Sequence, residues 1–322
     1  MLLVESCQKS TTGDFVPNPV QPDTSWVSTD SIPPVTTVLD KPAIVDSFNS
    51  NSDESGITSG DSLSVNFPAG GCMTAPNNPA STIKNTDKVS VAVLLLNSKG
   101  DIIRHRLSTE SNSNPLIFGA YVNIRLFYKG QQIFWNGALP PVQVKVRDYN
   151  ILKGLNYYFY QPLPVSSTNV RDSAWLPVTN PIIGNVSVYS ETENRVVKNS
   201  YLIRTSRLGW FGCDSLLSGN TYTQKTRLNV ILPINYTNKN TIVYAVFDKI
   251  KSVVRLNSNT VGKTFGTANI PTQASITLVS ISNINGVYYL GTKSIVTADS
   301  TPISIKPVQK DLTEIDHFLK TL

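Results

Sequence analysis

The residues that could do chemistry gather in one stretch, Tyr201-Leu-Ile-Arg-Thr-Ser-Arg-Leu-Gly-Trp-Phe-Gly-Cys-Asp214, which holds one of four Trp and one of three Cys. A nucleophile at Cys213 needs a general base and a lowered pKa. The chain has two histidines, His105 and His317, and neither shares a motif with it. Cys213 and Asp214 make a poor pair of metal ligands, because neighbouring strand residues point to opposite faces. No catalytic set, no metal site and no cofactor is expected. What remains for Arg207, Trp210, Cys213 and Asp214 is a structural corner. Gly209 and Gly212 bracket Trp210-Phe211 and turn the rings inward, and Asp214 accepts backbone N–H groups or pairs with Arg207.

A second candidate is aromatic. Tyr149, Tyr157, Tyr158, Phe159, Tyr160 and Trp175 crowd residues 149–180. Aromatic faces stack on sugar rings, so Tyr158, Tyr160 and Trp175 are candidate glycan contacts, with Trp210 beside them. The competing expectation is that these rings pack between two β-sandwiches. A hydrolase built on paired carboxylates is a third possibility, and such a pair is not visible in a sequence.

The elements that must position these residues are strands. Ser62–Phe67, Val89–Val93 (running on into Leu94-Leu-Leu96), Tyr121–Phe127, Val142–Val146 and Thr226–Leu232 alternate with period two, and Ser275–Ile281 reads as a further strand. Asn97–Gly100 reads as a turn and Asp101–Leu107 as the strand after it. Thr241–Phe247 is apolar on both faces, which marks a central strand. Asp311 and Glu314 form a capping box ahead of an apolar stripe, so a helix is expected over 311–321, docked on the last sheet. The fold class is all-β: antiparallel β-sandwich domains and one short C-terminal helix. The expected division is a flexible start over 1–57, a first sandwich over 58–150 and a second β region over 151–322. In the last, 151–180 is an aromatic connector, and a split near 252 would give a third domain.

The start has its own character. Residues 8–57 are rich in Ser, Thr, Pro, Asp and Asn, a composition that buries too little apolar surface to order itself, so a disordered tether is expected. Residues 1–60 hold two lysines against eight carboxylates, a net of −6, so the overall +6 rests on +12 beyond residue 60. Those cations are scattered singly along alternating strands, the pattern of solvated faces, and nucleic acid is not an expected partner. Three cysteines allow either a Cys72–Cys213 disulfide with Cys7 used separately, or unrelated buried thiols.

Four resemblances add to this. Val4-Glu-Ser-Cys7, followed by Gln-Lys, resembles the lipobox end of lipoproteins from Bacteroidetes-type bacteria. It implies export, lipidation at Cys7 and a membrane partner in the cell envelope. Asp30-Ser31-Ile32 resembles an O-glycosylation acceptor of the same bacteria, at Ser31. Residues 60–148, from Leu63-Ser-Val-Asn-Phe-Pro-Ala-Gly70 through Phe118–Ile124 to Tyr128-Lys-Gly-Gln131, resemble the β-sandwich shared by zonula occludens proteins and netrin receptors. Arg207, Leu208, Gly209, Trp210, Cys213 and Asp214 match a signature of uncharacterised Bacteroidetes envelope lipoproteins, which implies a non-enzymatic envelope protein with a protein or glycan partner.

Overall fold

Burial alternates along strands such as Leu63–Phe67 and Val142–Arg147, and four sheets stack among the described residues. The computed structural model describes residues 23–28, 33–50, 55–76, 78–83, 87–148, 150–162, 173–193, 195–217, 224–298 and 302–322. The structure is all-β, as expected, with mostly antiparallel pairing and a C-terminal helix. Cys7 and Ser31 lie outside the described residues.

Sheet I runs in the order Ile44–Asn49, Lys88–Leu96, Asn114–Tyr128, Gly209–Leu216, Asn156–Pro162, Ser173–Pro177, with three short strands off this path. Sheet II runs Gly184–Glu193, Val196–Thr205, Val142–Arg147, Leu63–Phe67, Ser55–Ser59. Val91, Val93, Val122 and Ile124 of sheet I meet Val144, Val146, Tyr201 and Ile203 of sheet II in the first core. Sheet III runs Val253–Arg255, Thr241–Phe247, Ser275–Ile284, Val287–Val296, Val308–Gln309. It closes a second core against sheet IV, which runs Asn257–Asn259, Thr264–Pro271, Lys225–Ile231, Ile303–Ser304. The last two strands of sheet IV pair in parallel.

A third core joins the two sandwiches. Leu116, Phe118, Tyr121 and Trp175 on the outer face of sheet I pack with Ile242, Tyr244, Val246 and Val279 on the outer face of sheet III. Thr241–Phe247 is therefore buried at every position, its even residues in the junction and its odd ones in the second core. Backbone bonds cross the junction as well: Thr109 N–H donates to Val253 O at 2.7 Å and Phe118 N–H to Lys251 O at 3.0 Å.

This arrangement corrects the expected division. Residue 150 is not a boundary, because Val142–Arg147 pairs with Ser200–Thr205 in one sheet. The first sandwich runs from Ile44 to Leu216, the second occupies the chain from Lys225 onward, and position 252 lies inside the second. The connector strands at 156–162 and 173–177 belong to sheet I. The tether expected over 1–57 is also built in where it is described. Trp26 packs on Phe265 with ring centroids 5.1 Å apart. Val35 is buried in the junction core, and Ile44–Asn49 and Ser55–Ser59 are sheet strands.

The strand expected over 101–107 is instead a helix, α1, at Lys99–Arg104. Ser98 caps it, its hydroxyl accepting from Asp101 N–H at 3.1 Å. The second helix, α2, spans Leu312–Lys320 with the expected capping box from Asp311 and Glu314. It packs on α1 and shares the core at the outer face of sheet III, the last sheet, as expected. Arg104 holds Asp316 at 2.9 Å, and Ile315 and Leu319 join the junction core. Gly100 lets the helices touch, since a Cβ there would strike the Leu319 carbonyl. Gly100→Ala should therefore destabilise the fold by about 1–3 kcal/mol through overpacking. Urea unfolding would measure this, and an unchanged midpoint would mean that the helices separate without cost.

Candidate functional site

The Tyr201–Asp214 stretch is a corner between sheets. Val196–Thr205 lies in sheet II, residues 206–208 turn, and Gly209–Leu216 runs in sheet I. Thr205 pins the turn: its Oγ1 donates to Arg207 O at 2.7 Å and accepts from Arg207 N–H at 3.0 Å. The buried Tyr157 hydroxyl lies 2.7 Å from the same oxygen. Gly209 has φ +107°, a conformation that side chains disfavour. Arg207 is exposed, its guanidinium 5.7 Å from the Phe159 ring centroid.

Alternation then sorts the residues after the corner. Phe211 and Cys213 enter the first core, whereas Trp210, Gly212 and Asp214 face the junction. Gly212 makes room for Tyr121, whose ring would collide with any Cβ there. Tyr121 stacks on Trp175 at 3.8 Å and 12°, and on Phe118 at 5.3 Å. Trp210 sits edge-on to His105 at 6.4 Å. His105 Nε2 accepts from Lys41 N–H at 3.1 Å, and burial lowers the imidazole pKa, offset by Asp40.

Cys213 is not poised for attack. Its sulfur accepts from Ala120 N–H at 3.3 Å, and burial first, then Asp214, pushes the thiol pKa up. Burial likewise raises Cys72 to about 12. Both thiols are free, so the buried-thiol reading holds and the disulfide does not form. Asp214 neither pairs with Arg207 nor accepts backbone N–H groups. It is fully buried, and neither of its oxygens nor the adjoining Tyr121 hydroxyl completes a hydrogen bond of ordinary geometry. Burial raises its pKa well above the carboxylate range, with Tyr121 and then Lys251 offsetting part of the rise. The folded chain therefore holds Asp214 as the neutral acid over a pH range where an exposed aspartate ionises.

The aromatic candidates are core residues too. Trp175 is 0% exposed and its Nε1–H donates to Ser108 O at 2.9 Å. Tyr158 is buried at 3%. Neither ring has a face open to a sugar, which corrects the glycan-contact expectation for both. Tyr160 is half-buried and leans on Trp175 at 4.9 Å.

A polar cleft opens elsewhere, where the two sandwiches meet, with a volume of about 590 Å3. Sheet II and its turns contribute Asp61, Ser62, Arg147 and Asp148, and the turn after Thr241–Phe247 contributes Lys249, Ile250 and Lys251. Lys251 braces the joint, its Nζ donating to Gly119 O at 2.6 Å and lying 3.3 Å from Asp148. Arg147 contacts Asp61 at 2.7 Å and Glu191 at 3.5 Å. Arg147 and then Lys198 hold the Asp61 pKa below its usual value, the reverse of what a general acid requires. Sequence reasoning missed this site, because its residues look like isolated charges at strand ends. The one local signal is that Asp148 and Lys249 each fall at or just past the end of a strongly alternating or apolar strand. No group of three His, Cys, Asp or Glu converges as a metal site among the described residues. No family model matches this chain, and neither does any curated protein or solved structure.

The state of Asp214 gives a signed prediction. An unfolded aspartate loses its proton near ~3.9, whereas the folded one keeps it, so Asp214 stabilises fully only below that pH. Its contribution is lost progressively as pH rises through the folded pKa. Asp214→Asn removes the dependence. The variant-minus-wild-type difference in melting temperature should grow more favourable to the variant from pH 4 upward. A difference that moves the other way would mean that Asp214 is ionised and paired.

Proposed function

We propose that this chain is a non-enzymatic envelope lipoprotein, anchored through Cys7, whose two fused sandwiches present an interaction surface outside the cell. The observation that carries the reading is where the reactive residues went. Cys213, Asp214, Tyr158 and Trp175 are consumed in packing, and the polar cleft at the junction remains open. Ligand sites favour such places between two rigid bodies. The lipobox-like Val4-Glu-Ser-Cys7, and the resemblance of Arg207, Leu208, Gly209, Trp210, Cys213 and Asp214 to an envelope-lipoprotein signature, support the location. Among the described residues no helix is long and apolar enough to cross a membrane.

The test is the mature N-terminus in a bacterial host with lipoprotein processing. Mass spectrometry should find a chain beginning at an acylated Cys7 in the membrane fraction, and Cys7→Ala should release the protein from it. A mature chain that retains Met1 with an unmodified Cys7 contradicts the anchor.

A further inference from the structure

The cleft contains more hydrogen-bonding capacity than the chain itself uses. Asn97 and Asn150 stand on its walls, and their side-chain amides make no hydrogen bond within the described residues. Lys249 lines it with an exposed ammonium that has no anionic partner there. The other two cations are engaged: Arg147 by Asp61 and Glu191, Lys251 by Asp148 and Gly119 O. Three cations and two carboxylates line the space, so it carries one positive charge in excess. Ile117, Leu152 and Ile250 add an aliphatic surface.

From these groups we infer that the cleft binds a polyhydroxylated carboxylate, an acidic sugar of the hexuronate kind. The Lys249 ammonium pairs with its carboxylate. The amides of Asn97 and Asn150 and the Ser62 hydroxyl exchange hydrogen bonds with ring hydroxyls, and the aliphatic residues meet the C–H face. A bare inorganic anion would fill little of about 590 Å3 and would leave both amides unused. A neutral sugar would leave the excess charge unmatched. Asp148 has a separate part, holding Lys251 against Gly119 O so that the two walls keep their spacing. The inference rests on reading the chain as a binding protein and gives that reading a ligand class.

The test is isothermal titration of the full chain with glucuronate, in parallel with glucose, acetate and sulfate. Saturable heat is expected with glucuronate and markedly less with the other three. Lys249→Ala should weaken glucuronate by about tenfold or more, the loss of one charge-assisted contact. Asn97→Ala with Asn150→Ala should weaken glucuronate while leaving the weak acetate response unchanged. All three positions are exposed, and an unchanged melting temperature verifies that each variant is folded. Three results would overturn the inference: no heat with glucuronate, sulfate or acetate binding as tightly as glucuronate, or full affinity in Lys249→Ala. Proton spectra of the sugar after incubation separate the two proposals. Bound glucuronate that is chemically altered sinks the non-enzymatic reading and leaves the ligand class standing.

Discussion

The structure depends on an apolar contact between the outer faces of two sheets. A β-sandwich usually buries one face of each sheet and wets the other, yet here sheets I and III are apolar on both sides in their central strands. Phe118, Tyr121 and Trp175 on one side, and Ile242, Tyr244 and Val246 on the other, leave water only when the sandwiches stack. Offset and edge contacts between such rings contribute about 0.5–1.5 kcal/mol per pair beyond the area they bury. The same contact explains why Gly212 must be small, why α1 and α2 lie where they do, and why Asp214 is held neutral. It also creates the cleft, since two bodies pressed together along one face leave a notch at its edge, braced by Lys251.

Asp214 shows what the junction tolerates. A buried carboxyl without a completed hydrogen bond costs free energy, and the chain accommodates it as the neutral acid beside Tyr121. Around it, Gly119 forms the bulge opposite Cys213-Asp214, and Lys251 draws the bulge carbonyl toward the second sandwich. The densest cluster of unusual residues in the chain thus marks the seam between bodies. The surface chemistry lies beside it, in charges contributed by distant parts of the chain.

Much of the secondary structure was legible because its period is short. Val142–Val146 and Thr226–Leu232 alternate over enough residues to declare themselves, and the capping box at Asp311 named its helix outright. Helix α1 was not legible. Six residues show less than two turns of periodicity, and the adjacent Ile102-Ile103 looks like a strand. The boundary at 150 failed for another reason: Val142–Arg147 finds its partner at Ser200–Thr205, and local pattern says nothing about pairing at that separation. The described parts of the expected tether are built into the fold, because composition averages over the few residues that matter. Trp26, Val35 and Phe48 each occupy a specific place in a polar stretch. The cleft was invisible for the same reason as the sheet pairing, since Asp61, Arg147 and Lys249 meet only after folding.

If the junction core makes the two sandwiches one folding unit, neither should melt without exposing the aromatic face of the other. Differential scanning calorimetry of the whole chain measures this directly. A single endotherm whose calorimetric and van't Hoff enthalpies agree is the expected result. Two resolved endotherms, each with the enthalpy of one sandwich, would show that the stacked face holds nothing together.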